Sequence, residues 1–201
     1  MLTMFALMLQ TPTLEADTAK AAMKCAQVVA IAGANVDSPM RLTSQFTHLS
    51  MQAAKAEGAS ESFFARLQAL SEEASKGTVP TPEAAKQLAP LCHARFPLAR
   101  STSPVRLPAD PFKRTMLCFG TLSVLQGAAE EISKESGDTA VLTRIKAGLA
   151  PLSDKLTDDE LKKRNLGSDA SFLKALSDEM IASVSIGNPI SVAAACGVTG
   201  L

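Results

Sequence analysis

Apolar residues recur along this chain at three- and four-residue intervals, and nowhere do they alternate long enough to mark a strand. The first run, Ala21, Cys25, Val28, Val29 and Ala32, comes after a capping residue at Asp17 or Thr18 and stops at Gly33 and Asn35. Ser38-Pro39 opens a second helix with Leu42, Phe46, Leu49, Ala53 and Ala56 in one stripe, and Gly58 ends it. Ser60 is the expected cap of a third, with Phe63, Phe64, Leu67 and Leu70 inward and Gly77 as its stop. Thr81-Pro82-Glu83 starts a fourth through Ala85, Leu88, Leu91 and Cys92, which Pro90 should kink or shorten. Residues 17–96 thus read as a first helical unit.

Pro97, Pro104, Pro108 and Pro111 punctuate the next stretch, so residues 97–110 read as an extended connector. Beyond it, Asp110 caps and Pro111 begins a helix carrying Cys118, Leu122, Leu125, Ala129 and Ile132 on one face, ending near Gly137. Asp138 is placed to cap a helix of Val141, Leu142, Ile145 and Leu149 that Pro151 breaks or kinks. Thr157 and Glu160 have capping-box spacing, Lys162, Lys163 and Arg164 occupy the last turn of that short helix, and Gly167 should stop it. Ser168 caps the next, with Leu173, Leu176, Met180 and Val184 inward; Gly187-Asn188-Pro189 then turns into a last short helix up to Cys196. The expected fold class is all-α: a helical bundle of two related units in tandem, about four helices each, the second spanning residues 111–201.

The case for a tandem rests on matched marks. Leu67-Gln68-Ala69-Leu70-Ser71-Glu72-Glu73 parallels Leu173-Lys174-Ala175-Leu176-Ser177-Asp178-Glu179, and each half has one cysteine in its opening helix and one in its closing helix. On that frame Cys25 pairs with Cys92 and Cys118 with Cys196, each bond clamping a unit end to end and stabilising it by about 4 kcal/mol. The competing picture is four reduced cysteines serving as small core residues. Cα separations beyond about 7 Å would exclude the bonds.

Composition narrows the function. Lys+Arg and Asp+Glu balance at 20 each and the chain has neither Trp nor Tyr, which argues against nucleic acid as a partner. Residues 1–9 form a short apolar run, too short to span a bilayer, that with the adjoining residues makes 1–16 a possible leader segment. The uncharged stretch 180–201 is interrupted by Gly187, Asn188 and Pro189, so no transmembrane span is expected.

Candidate chemistry is sparse. His93 comes directly after Cys92, but neighbours on a helix diverge by about 100° and make no ready nucleophile–base pair. His48 falls with Arg41, Gln45, Gln52 and Lys55, opposite the Leu42/Phe46/Leu49 stripe, and reads as solvated. The acidic pairs Glu72/Glu73, Asp178/Glu179 and Glu130/Glu131 read as surface charge, and Lys162, Lys163 and Arg164 as complements of a helix end. No metal, cofactor or catalytic residue is assigned. The reading is a non-catalytic periplasmic or secreted protein of binding, scaffold or chaperone-like type, acting on an unknown protein or small-molecule partner. The alternative is an intracellular, cytoplasmic helical protein with reduced cysteines, regulatory or enzymatic, in which Arg66, Arg95 and Arg144 or scattered carboxylates would converge on a pocket.

Overall fold

A computed structural model describes residues 13–59 and 63–201. Among the described residues it holds nine α-helices and no strand, the all-α class that the periodicity predicts. Before the proline segment come α1 (Thr18–Gly33), α2 (Pro39–Ala56), α3 (Phe63–Lys76) and α4 (Pro82–Arg95). After it come α5 (Pro111–Ser136), α6 (Ala140–Ser153), α7 (Asp158–Lys163), α8 (Asp169–Ser183) and α9 (Pro189–Ala195). The apolar run 1–9 and the expected cap at Ser60 lie outside the described residues.

Local chemistry sets most helix starts. The side chains of Asp17, Ser38, Thr81, Asp110, Thr157, Ser168 and Asn188 each accept a bond from the backbone N–H three residues on, at 2.8–3.4 Å. Each such cap contributes about 1 kcal/mol by satisfying a donor that the helix cannot. Gly137, at φ +76°, closes α5 in the left-handed conformation that an L side chain resists.

Several boundaries differ from expectation. Thr139 stands at the start of α6, while the Asp138 carboxylate accepts from the Ala140 N–H at 2.8 Å. Of the alternatives at Pro90 and Pro151, neither proline ends its helix, and α4 and α6 both continue through them. Glu160 completes no reciprocal capping box and instead pairs with Lys163 at 2.6 Å. Asn165, at φ +60°, turns the chain out of α7 before Gly167 is reached. The connector is extended only after a 3-10 turn at Pro97–Ala99, whose Ala99 is buried. Leu173, expected inward, is 49% exposed, and Leu91 and Ala56 also face solvent.

Tertiary packing centres on α2. It lies against α1 and α3 from its own half and against α5, α8 and α9 from beyond the proline segment. One apolar cluster combines Cys25, Val29, Leu49, Phe63, Leu70 and Leu88 with Leu117, Met180, Val184 and Val192. A second gathers Leu122, Leu125, Ile145, Leu149, Ala193 and Val198, and Met40 at the start of α2 joins it. Each core therefore draws on both halves. Helix α8 lies close against α5 at Gly120, where a Cβ would come within 2.9 Å of Leu176 Cδ1 and Met180 Sδ.

Covalent and polar links reinforce this arrangement. Cys25 is bonded to Cys92 (Cα–Cα 5.4 Å) and Cys118 to Cys196 (5.7 Å), joining α1 to α4 and α5 to the end of α9. Asn188 donates to the carbonyls of Leu98 (3.0 Å) and Ser101 (2.8 Å) and accepts from the Ser44 hydroxyl (3.2 Å) and the Ser191 N–H (3.0 Å). Ser44 Oγ in turn accepts from the Ile190 N–H at 3.1 Å, and the Ser191 hydroxyl donates to Ser101 O at 2.7 Å. This buried network ties α2, the proline segment and the N-terminus of α9 together. Asn188→Ala should therefore lower the unfolding free energy measured in urea by about 2–3 kcal/mol. Ser44→Ala should cost less, and the double variant less than the sum, because the two residues share partners.

Candidate functional site

A cleft that gathers charged and apolar side chains is built where α1 hands over to α2. Gly33 ends α1 beneath Leu42, whose Cδ2 would lie 2.4 Å from any Cβ at that position, and the tight turn after it delivers Asp37 to the base of a cleft. The Asp37 side chain is only 6% exposed; its carboxylate accepts from Gln45 Nε2 at 3.1 Å. Arg41, one turn into α2, approaches it at 3.8 Å, and Arg100, just after the 3-10 turn, at 3.7 Å.

Helix α4 supplies the facing wall. Lys86, Pro90 and His93 recur at four and three residues and so share one side of the helix, with Ala89 beside them. Pro90 has no N–H, so it cannot bond the Lys86 carbonyl one turn back. Val29, Ala32 and Val36 complete an apolar flank, and the cleft measures about 250 Å³. A second cleft of about 190 Å³ adjoins it, sharing Gln45 and Arg100 and reaching Arg41 and Ser191.

The polar edge has a defined electrostatic character. Arg100 Nη1 lies 3.4 Å from His93 Nε2, so that nitrogen serves as acceptor and the ring proton resides on Nδ1. Burial lowers the His93 pKa, the Arg100 charge lowers it further, and Asp37 opposes them. Two cations, Lys86 and Arg100, line the cleft with one carboxylate, and Arg41 pairs with that carboxylate from the adjoining cleft.

Residues singled out from the sequence are dispersed. The Cys92 sulfur is bonded to Cys25, which removes any thiolate partner for His93. Arg66 bridges Glu57 (2.5 Å) and Glu73 (2.6 Å), Arg95 donates to the carbonyls of Glu15 and Ala16, and Arg144 donates to Gly200 O at 2.6 Å. Each of these arginines fastens two pieces of chain, and none converges on a pocket with the others. Among the acidic pairs, Asp178 pairs with Lys174, Glu131 with Lys134, and Glu130 with Lys146. Glu179 faces Lys113 at 3.8 Å, and burial raises its pKa. Lys163 bonds Glu160, while Arg164 stacks 4.2 Å above the Phe112 ring. Among the described residues no three His, Cys, Asp or Glu side chains form a metal-binding group, and no helix is long and apolar enough to cross a membrane.

His48 corrects the expectation of a solvated ring. It is fully buried, because the polar side of α2 is covered by the second half of the chain. Burial lowers its pKa to about 4, with the Gly187 backbone opposing. The residues that do form the cleft carry weaker sequence signals. Asp37 and Lys86 have no sequence reading, Arg100 falls within the connector, Gln45 enters only as a polar neighbour of His48, and of the cleft's polar residues His93 alone is weighed for chemistry.

The depressed His48 pKa has a definite sign. The unfolded chain takes up this proton near pH 6.5 and the folded chain only near 4, so stability is fully present above 6.5 and falls as pH drops toward 4. The loss should approach about 3 kcal/mol, at up to about 1.4 kcal/mol per pH unit. Urea unfolding of wild type and His48→Gln at pH 7 and 4.5 isolates it, since carboxylate contributions common to both proteins cancel.

No family model matches the chain, and no curated protein or solved structure is detectably similar to it.

Proposed function

We propose that the chain is a non-catalytic, exported helical protein that binds a small partner in the cleft between α4 and the α1–α2 turn. The observation that carries this reading is the pair of disulfides, which take up all four cysteines and leave none free. Bonds of this kind persist in secreted and periplasmic compartments and are removed in the reducing cytosol. The apolar run at residues 1–9 is consistent with a leader that directs such export. The cleft supports binding by its shape, a space of about 250 Å³ with polar groups along one edge and small apolar residues along another.

A doubled origin fits the same reading. Each disulfide joins the first helix of a half to its last, and the matched heptapeptides fall on α3 and α8 with Leu70 and Leu176 both buried. We regard the two halves as copies of one unit that came to share their cores, with α2 of the first copy inserted against the second.

The test is a thiol count on protein taken directly from its native compartment under denaturing, non-reducing conditions. No reactive thiol should be found, four should appear after reduction, and peptide mapping should return Cys25 with Cys92 and Cys118 with Cys196. Four free thiols before reduction would overturn the exported reading in favour of an intracellular protein.

A further inference from the structure

The chain as a whole is neutral, yet the cleft concentrates positive charge. Arg41 and Arg100 lie 3.8 and 3.7 Å from the Asp37 carboxylate, beyond hydrogen-bond distance, so neither guanidinium fork is closed by it. Among the described residues Lys86 makes no ion pair, and Arg41 donates no side-chain hydrogen bond. Asp37 is committed to Gln45 and shielded at the base of the cleft, where it holds the two guanidinium groups in place. Beside this charged edge, Ala32, Val36 and Ala89 offer small apolar surface that is partly or fully exposed.

Arg100 spends one N–H on His93 and keeps its other donors, so a site with spare cationic donors at one edge and small apolar residues at the other suits a ligand with the same two parts. We infer that the cleft binds a small organic carboxylate with a short aliphatic body, the carboxylate on Arg100 and Lys86 and the hydrocarbon against Val36 and Ala89. This inference rests on the binding reading above and adds the chemical class of the ligand. A guanidinium fork matches a carboxylate in two parallel bonds, and a cleft of about 250 Å³ admits a short chain but not a long lipid. Arg41 and Arg100 are each about half exposed, so added salt weakens the attraction without abolishing it.

The experiment titrates the full, oxidised chain with hexanoate by calorimetry, with hexylammonium as the charge-reversed control. Saturable hexanoate binding is expected, with little or none for hexylammonium. Arg100→Gln should weaken it about tenfold, the loss of one charge-assisted contact. Val36→Glu places a carboxylate at a position that is 78% exposed, where folding tolerates it, and should weaken hexanoate by a similar factor. Urea midpoints of both variants check that the fold is intact, and Val36→Glu keeps the test decisive should Arg100→Gln unfold. No saturation in the millimolar range, hexylammonium binding as tightly as hexanoate, or unchanged affinity in folded variants would each overturn the assignment. A thiol count on the same sample separates the two levels: failed binding by a fully oxidised protein removes the ligand class alone, whereas free thiols in freshly isolated protein remove the exported reading.

Discussion

The amide of Asn188 is the point on which the two halves of the chain are set against each other. Buried, it must find partners for two donors and an acceptor or leave them desolvated, and it finds them on two segments far from it in sequence, α2 and the proline segment. Apolar packing tolerates small slides, but hydrogen bonds near 3 Å do not. The network accordingly sets the register of α2 against α9 and pins the proline segment over both. It also caps α9, so one side chain joins local and tertiary order.

Helix α2 shows the effect on the rest of the molecule. Its apolar stripe meets α1 and α3, as an amphipathic surface helix would, but its polar side is also enclosed. Ser44, Gln45 and His48 occupy what would otherwise be a solvent face. Ser44 and Gln45 answer burial with specific partners, whereas His48 answers it by remaining neutral. A helix that is polar on one side and still surrounded is a central element of the fold, not a surface one.

The same constraints locate the cleft. The Cys25–Cys92 bond holds α4 beside α1, so that the face carrying Lys86, Pro90 and His93 looks across at the turn that presents Asp37. The network at Asn188 fastens Leu98 and Ser101, and Arg100 between them is carried to the edge of that turn. Charges from three parts of the chain meet there because covalent and hydrogen-bonded links converge around them. The surplus of positive charge is a local product of this geometry in a chain with none overall.

Capping residues, glycine stops and apolar periodicity act within a few residues, and they determined the helices of this protein and its all-α class from the sequence alone. Asp17, Asp110, Thr157 and Ser168 could be read as caps because the N–H each one satisfies lies three positions away. Which helix face meets solvent was decided only by tertiary structure: His48 is buried by elements of the second half of the chain, while Leu173, on an apolar position of α8, is left half exposed. The cleft belongs to the second category for the same reason. Asp37, Lys86 and Arg100 share no spacing rule, and only the packing of α2 between the two halves brings their charges to the edge of one ligand-sized space.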